Sequence, residues 1–139
     1  MNGCIFCKMF TGEVDFRKVY DGKEVLGVLD IQPRFARWQC LVIPRRHVAQ
    51  FYELEDEEIA QLFKGVKAVA KKLKKAVDTP LVSIFARGMS IPIHAHIVVF
   101  PASEEGPLDK IMAGLLAYEQ LKAVTPSQLD AMAERIRTA

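Results

Sequence analysis

One segment of this 139-residue chain constrains its fold more than any other, because residues 55–77 carry apolar side chains at helical spacing. Acidic residues cluster where this helix would begin and lysines where it would end, as a helix dipole favours. Short segments typical of strands lie before and after it, at residues 17–31, 40–44, 80–85 and 91–101. Asp21 and Gly22 predict a hairpin turn within the first of them. This order predicts an α+β fold, an antiparallel sheet packed by one long helix and by C-terminal helices.

The chain after Pro101 is expected to be helical again. Residues 107–121 form one candidate helix. A second begins at Thr125, whose hydroxyl and the Gln128 amide three residues later form a capping box. No repeat, linker or low-complexity segment interrupts the chain, so we expect a single domain over residues 1–139.

Composition argues against several classes of protein. A net charge of +2 is too small to indicate a nucleic-acid partner. The apolar stretches are shorter than the roughly 20 residues of a membrane-spanning helix, and the first residues lack the pattern of a signal peptide. We therefore expect a cytoplasmic protein without a membrane partner. In that compartment the three cysteines would be reduced thiols, and the Cys4–Cys7 pair suggests metal binding or redox chemistry.

Two of the three histidines, His94 and His96, lie two residues apart in the predicted strand 91–101. Alternate side chains of a strand point to the same face, so both imidazoles are expected to leave one surface together. Near neutral pH an imidazole serves as a nucleophile, a general base or a metal ligand. This strand is therefore the first candidate for a reactive site.

A zinc site is one interpretation of these residues. Structural zinc takes four ligands drawn from cysteine and histidine, and Cys4 and Cys7 could combine with any two of His47, His94 and His96. A histidine that does not bind the metal could instead attack phosphorus as a nucleophile. The spacing alone leaves two alternatives open, since both strand histidines could bind the metal or line a core.

Three other features have both a functional and a structural interpretation. Asp30 ends an apolar strand, where its carboxylate could bind two vicinal hydroxyls or simply cap a turn. The loop at residues 87–90 could present backbone N–H groups to a phosphate or form a plain turn. Cys40 is expected to pack as a small apolar group, and the lysines at 71–75 to form a solvated helix end.

Four segments, in this order, resemble the histidine triad (HIT) superfamily of nucleotide hydrolases and transferases, specifically its zinc-containing CxxC branch. They resemble the family patterns CIFCKIxxGE, FLDIxP, LVIPKxH and HxHxHxxP. In this chain they are Cys4-Ile-Phe-Cys-Lys-Met-Phe-Thr-Gly-Glu13, Val28-Leu-Asp-Ile-Gln-Pro33, Leu41-Val-Ile-Pro-Arg-Arg-His47 and His94-Ala-His-Ile-Val-Val-Phe-Pro101. The resemblance covers nearly the whole chain and implies a HIT-like fold.

The resemblance implies a role for each matching position. Structural zinc would be held by Cys4, Cys7, His47 and His94. His96 would then be the nucleophile that attacks the α-phosphate of a purine nucleotide derivative and forms a nucleotidyl-histidine. The nucleotide-binding positions would be Phe6, Val28 and Ile31 at the base or sugar, Asp30 at the ribose hydroxyls, and Gly88 and Ser90 at the phosphate. The family also implies a homodimer.

The chain departs from the family pattern at several positions. Val98 occupies the place of the third triad histidine, and losing such a donor to a charged oxygen costs roughly 1.5–3 kcal/mol. Residues 84–90 lack the family's Asn and Gln, and Arg37-Trp-Gln39 replaces its usual PGH. A shifted register would make His94 the middle histidine, but it needs more gaps and leaves the zinc with three ligands.

Three functions remain open from the sequence. The first is a nucleotide phosphohydrolase or nucleotidyltransferase that uses His96. The second is a nucleotide-binding module with little or no turnover, suggested by Val98. The third is a zinc-stabilised protein-interaction domain.

Overall fold

The computed structural model describes residues 3–86, 94–102, 106–116 and 124–139. Its elements run in the order α1 (Ile5–Phe10), β1 (Arg17–Asp21), β2 (Val25–Leu29), β3 (Cys40–Pro44), α2 (Asp56–Val77), β4 (Leu81–Phe85), β5 (Ile97–Ala102), α3 (Pro107–Leu116) and α4 (Pro126–Thr138). A single 3₁₀ turn, Phe51–Glu53, precedes α2. Among the described residues, no helix combines the length and the apolar composition needed to cross a bilayer.

The five strands form one antiparallel sheet in the order β1-β2-β3-β5-β4. The predicted hairpin is confirmed: β1 and β2 pair with Tyr20 opposite Gly27, and the Gly22 N–H donates to the Val25 carbonyl oxygen at 2.9 Å. The predicted α+β class is also confirmed, with α2 packed along the sheet.

The two faces of the sheet carry different side chains because strand residues alternate. One face packs against α2, whose buried residues follow its helical period. The sheet residues of this face are Val25, Cys40, Val42, Ile97 and Val99, and Ala95, just before β5, joins the same core. Gly27 permits this close packing, since a Cβ atom there would lie 2.9 Å from Val69 Cγ2. The opposite face carries α1 and its neighbours, over Leu26, Val28, Leu41, Ile43, Val98 and Phe100.

The predicted strand at 91–101 is wrong at its start, because β5 begins at Ile97 and both histidines precede it. Residues 91–93 lie outside the described residues. The pairing of β5 with β3 ends where Val42 faces Ile97. Beyond that point the Pro44 carbonyl oxygen lies 2.9 Å from the His94 side chain, while the Ala95 N–H bonds to Val48. A side-chain hydrogen bond has thus taken the place of further main-chain pairing between β3 and β5. His94 and His96 nevertheless both lie against the Phe6 ring.

The C-terminal helices are only loosely attached. α3 ends at Leu116, and the rest of the predicted helix, residues 117–121, lies outside the described residues. The capping box before α4 is confirmed, since the Gln128 N–H donates to Thr125 Oγ1 at 3.3 Å and the Thr125 N–H donates to Gln128 Oε1 at 2.8 Å. Leu108 of α3 packs on the sheet, whereas α4 has no buried residue.

Candidate functional site

The short helix α1 brings the two N-terminal cysteines against two histidines that are far away in sequence. Cys4 Sγ lies 3.3 Å from His94 Nδ1, and Cys7 Sγ lies 3.2 Å from His47 Nδ1 and 3.7 Å from His94 Nδ1. The four side chains present one potential ligand atom each, and all four atoms lie within 4.8 Å of one another. The helix itself was not predicted, but it explains the CxxC spacing, because one helical turn places both thiols on one side.

These four atoms fit a metal ion by distance as well as by type. Zinc bonds sulfur at about 2.3 Å and nitrogen at about 2.0–2.1 Å, so tetrahedral geometry separates a sulfur and a nitrogen ligand by about 3.6 Å. The measured sulfur–nitrogen separations of 3.2–3.7 Å bracket that value. The cluster could therefore hold a metal ion.

Burial affects the histidine and cysteine ligands differently, favouring the metal-binding form of His94 but not that of Cys7. Burial lowers the pKa of His94, which keeps its imidazole neutral. Burial, reinforced by the Cys4 thiol, raises the pKa of Cys7. A bound cation would have to displace that thiol proton, since the thiolate is the ligand form of cysteine.

Hydrogen bonds to main-chain carbonyls give the two neighbouring histidines opposite tautomers. A carbonyl oxygen only accepts, so the nitrogen that contacts it must carry the proton. His94 Nε2 lies 2.9 Å from the Pro44 oxygen, which leaves Nδ1 with its lone pair directed at the thiols. His96 Nδ1 lies 2.9 Å from the His94 oxygen, so its Nε2 carries the lone pair, and that nitrogen has no hydrogen-bond partner in the part of the chain that the structure describes. The two imidazoles therefore offer different nitrogens to different surroundings.

His96 lies on the wall of a cavity of about 330 Å³ on the sheet face opposite α2. Four of the predicted nucleotide-binding residues line the same cavity: Phe6, Val28, Asp30 and Ile31. They differ in exposure, since Val28 is buried at 1% and Ile31 is 76% exposed. The other two, Gly88 and Ser90, lie outside the described residues. Among the described residues, the cavity thus combines the imidazole of His96, the two carboxylates of Asp15 and Asp30, and a mostly apolar wall.

The sequence did not identify several other lining residues. They include Met9, Phe16, Arg34, Phe35, Gln39 and Leu41. Most of them are apolar side chains whose core and pocket roles look alike in sequence. Gln39 could have been found, because it falls in the segment that replaces the family's PGH.

Val98 also lines the cavity, two residues after His96 on the same face. It is 4% exposed and lies opposite Leu41 on β3 and Phe85 on β4. The Phe85 ring packs against Phe35, with ring centroids 5.0 Å apart. This part of the wall is consequently apolar and has no side-chain hydrogen-bond donor at position 98.

The loop that carries His47 is tied to the start of α2 by its neighbour Arg46. The Arg46 guanidinium donates to both carboxylate oxygens of Glu58, at 2.7 and 2.6 Å, and to the Glu53 carbonyl oxygen at 2.9 Å. Glu58 also accepts the Glu55 N–H at 2.8 Å. Such bidentate pairing fixes geometry as well as charge, so it restrains the main chain next to a metal-ligand candidate.

Replacing Arg46 with methionine is expected to raise the pKa of Glu58. In the native protein the hydrogen bonds from Arg46, followed by that from Glu55, lower this pKa to about 2. Because the pKa of Glu58 is lowered in the folded state, the ionised carboxylate stabilises the fold above the unfolded-state pKa of ~4.3. This contribution is lost as the pH falls toward 2. Carboxyl ¹³C NMR titration of Glu58 measures the change. As a control, Arg137→Met removes the Glu134 partner on α4 and should leave the pKa of Glu58 unchanged. Equal titration midpoints of Glu58 in the native and Arg46→Met proteins would contradict the proposed effect of Arg46.

The third cysteine lies apart from the metal-ligand candidates. Cys40 belongs to the core cluster beneath α2, as its predicted packing role requires. Burial, with a smaller contribution from the Asp30 charge, raises its pKa to about 11. Its thiol is therefore protonated at neutral pH, which disfavours both nucleophilic and metal-binding roles.

Comparison with known proteins places this site in context. The sequence model of the HIT domain matches residues 11–104, which excludes the two N-terminal cysteines. A crystal structure from Streptococcus mutans superimposes with a TM-score of 0.82 at 27% identity, covering 99% of this chain and 85% of that one. A crystal structure of a HIT family member from Bacillus subtilis superimposes with a TM-score of 0.78 at 24% identity, covering 97% of this chain and 95% of that one, so the fold described above is that of a solved HIT family protein.

Two relatives show different extents of similarity. An uncharacterised HIT-like protein of Methanocaldococcus jannaschii is 43% identical over 72 residues, which is 52% of this chain and 55% of that protein. The match thus spans only about half the length of that relative. An adenosine 5'-monophosphoramidase of Schizosaccharomyces pombe is 29% identical over 139 aligned positions, covering 96% of this chain and 95% of that protein.

Proposed function

This chain belongs to the HIT domain family, and from that premise we propose that it is a nucleotide phosphohydrolase or nucleotidyltransferase acting at an α-phosphate. Similarity to an adenosine 5'-monophosphoramidase supports a nucleotide substrate in general terms. The observation that carries the proposal is that His96 lies on the cavity wall and that its Nε2 has no hydrogen-bond partner among the described residues.

In the proposed reaction His96 is the nucleophile. Its Nε2 lone pair attacks the α-phosphorus, and a P–N bond forms as the bond to the leaving group breaks. The leaving group departs with the electron pair and takes up a proton from solvent, which the water attacking in the second step returns. Water then attacks phosphorus, the P–Nε2 bond breaks, and a nucleoside monophosphate is released. The hydrogen bond from Nδ1 to the His94 carbonyl oxygen would hold the ring in the reactive tautomer throughout.

The metal in this proposal is structural zinc, held by Cys4, Cys7, His47 and His94. When bound, zinc would supply a fixed tetrahedral link between α1, the β3–α2 connection and the chain before β5. The protein's own residues do the rest. Phe6 of α1 packs on both the His94 and His96 rings, with centroid distances of 5.6 and 5.2 Å, so anchoring α1 also positions the nucleophile.

The nucleotide would lie in the cavity beside His96. We assign the ribose hydroxyls to Asp30 and the base to the apolar surface that includes Phe6, Val28 and Ile31. These assignments are supported by the shared lining of one cavity. Phosphate contacts at Gly88 and Ser90, a homodimer, a single domain and a cytoplasmic location remain predictions.

A second candidate is a nucleotide-binding module with little or no turnover. The apolar wall at Val98 favours it, because a valine cannot donate a hydrogen bond to the phosphate or to the leaving group. The third candidate function is that of a zinc-stabilised domain that binds another protein and no nucleotide.

Incubation with adenosine 5'-phosphoramidate separates these functions. If the protein is a hydrolase, we expect release of AMP and ammonia, and chromatography measures the AMP. Binding of AMP in calorimetry without product formation would establish the binding module instead. Stoichiometric zinc together with no binding of AMP would leave only the protein-interaction function.

A further inference from the structure

We propose that Gln39 is a positioning residue that holds the Asp30 carboxylate ready for two vicinal hydroxyls and so makes the site select ribonucleotides. The inference rests on the proposed nucleotide function and deepens it. It concerns a segment, Arg37–Gln39, in which this chain departs from the family pattern.

Gln39 is a buried polar residue whose two described side-chain hydrogen bonds go to Asp30 and Phe35 of its own loop. Its side chain is part of a residue only 3% exposed, and its Nε2 donates to Asp30 Oδ2 at 2.6 Å. Its Oε1 accepts the Phe35 N–H at 3.1 Å. Because a backbone N–H can only donate, this contact settles which end of the amide is oxygen. The nitrogen must therefore face the carboxylate.

The main chain reinforces the same arrangement. The Asp30 N–H donates to the Gln39 carbonyl oxygen at 2.9 Å, and the Gln39 N–H donates to Ala36 at 3.3 Å. Trp38, immediately before Gln39, has a φ of 68°, in the left-handed region. A non-glycine residue is strained there and persists only where surrounding contacts hold it. Main-chain and side-chain hydrogen bonds from Gln39 to Asp30 thus join the two ends of this loop.

The hydrogen-bonding capacity of Asp30 matches a diol. An ionised carboxylate offers about four acceptor sites, two on each oxygen. The Gln32 N–H uses one on Oδ1, at 2.9 Å, and Gln39 uses one on Oδ2. Among the described residues no other donor contacts this carboxylate, so one site on each oxygen remains for the cavity that both residues line. Two neighbouring hydroxyls, each donating one hydrogen bond, would fill them.

Replacement of Gln39 by methionine tests this role, because methionine keeps the length of the side chain and removes both polar atoms. Calorimetry would compare the Kd of AMP with that of 2',3'-dideoxy-AMP. We expect native protein to prefer AMP and the variant to lose about tenfold of that preference, since one hydrogen bond to a charged group is lost. General damage to the fold would weaken the binding of both nucleotides alike and leave the ratio of their Kd values unchanged.

Gln61→Met is the matched control, because Gln61 Nε2 also donates to a carboxylate, that of Glu57 on α2, at 2.8 Å. It should keep the native ratio. A second variant, Gln39→Leu, also removes the donor and introduces no charge beside Asp30, so it should reproduce the loss even if the methionine variant fails to fold. If native protein prefers AMP and the Gln39 variants keep the same ratio of the two Kd values, this inference alone is overturned. Native protein that binds neither nucleotide would overturn the proposed function as well.

Discussion

Replacing His96 with alanine is expected to abolish release of AMP from adenosine 5'-phosphoramidate while AMP binding and zinc content remain. The alanine has no nitrogen to attack phosphorus, so kcat should fall on the order of 10⁴-fold or more. Steady-state kinetics at saturating substrate measures this fall. Calorimetry with AMP and metal analysis check that the cavity and the cysteine–histidine cluster are intact.

A second variant, His96→Asn, separates the nucleophile from the positioning hydrogen bond. The asparagine amide can still donate to the His94 carbonyl oxygen that now accepts from His96 Nδ1. It has nothing at the position of Nε2. We expect it to be as inactive as the alanine variant. Native-like turnover in either variant would rule out attack by His96.

Replacing Cys4 with serine is expected to cause the largest loss of stability. Cys4 is 2% exposed, and its sulfur lies 3.3 Å from His94 Nδ1, so serine would leave the proposed metal site with three strong ligands. Loss of a structural metal removes more than about 4 kcal/mol from the free energy of unfolding. Zinc content by elemental analysis and the urea unfolding midpoint measure the two effects separately.

Cys40→Ala provides the matched control, because Cys40 is equally buried but belongs to the core beneath α2. It should retain one zinc per chain and lose only the packing of a small side chain. If Cys4→Ser protein retains stoichiometric, equally tight zinc, the four-ligand assignment fails. If neither native protein nor the control contains zinc, the structural-metal proposal fails entirely.

Local patterns predicted the regular elements well because these depend on neighbouring residues. The helix predicted at 55–77 is α2 at 56–77, since both its apolar period and its terminal charges are local. The strand predicted at 40–44 has those bounds in the structure. The start of β5 was missed because it depends on a hydrogen bond between His94 and Pro44, which are 50 residues apart.

The candidate site was less accessible to sequence reasoning. Spacing alone left open which two of the three histidines would accompany Cys4 and Cys7, and the family resemblance suggested His47 and His94. Gln39 was noted only as a departure from the family. Its hydrogen bonds to Asp30 and Phe35 require a folded loop, and no periodicity in the sequence signals them.

By itself the sequence determined the α+β class, the long helix and the set of residues from which a metal site and a nucleophile could be drawn. These follow from composition and short-range spacing. Only the tertiary structure decided how the two neighbouring histidines differ. Their ring nitrogens meet carbonyl oxygens from different parts of the chain, Pro44 for His94 and His94 itself for His96. Each contact selects a tautomer, and so directs one lone pair at the thiols and leaves the other to the cavity.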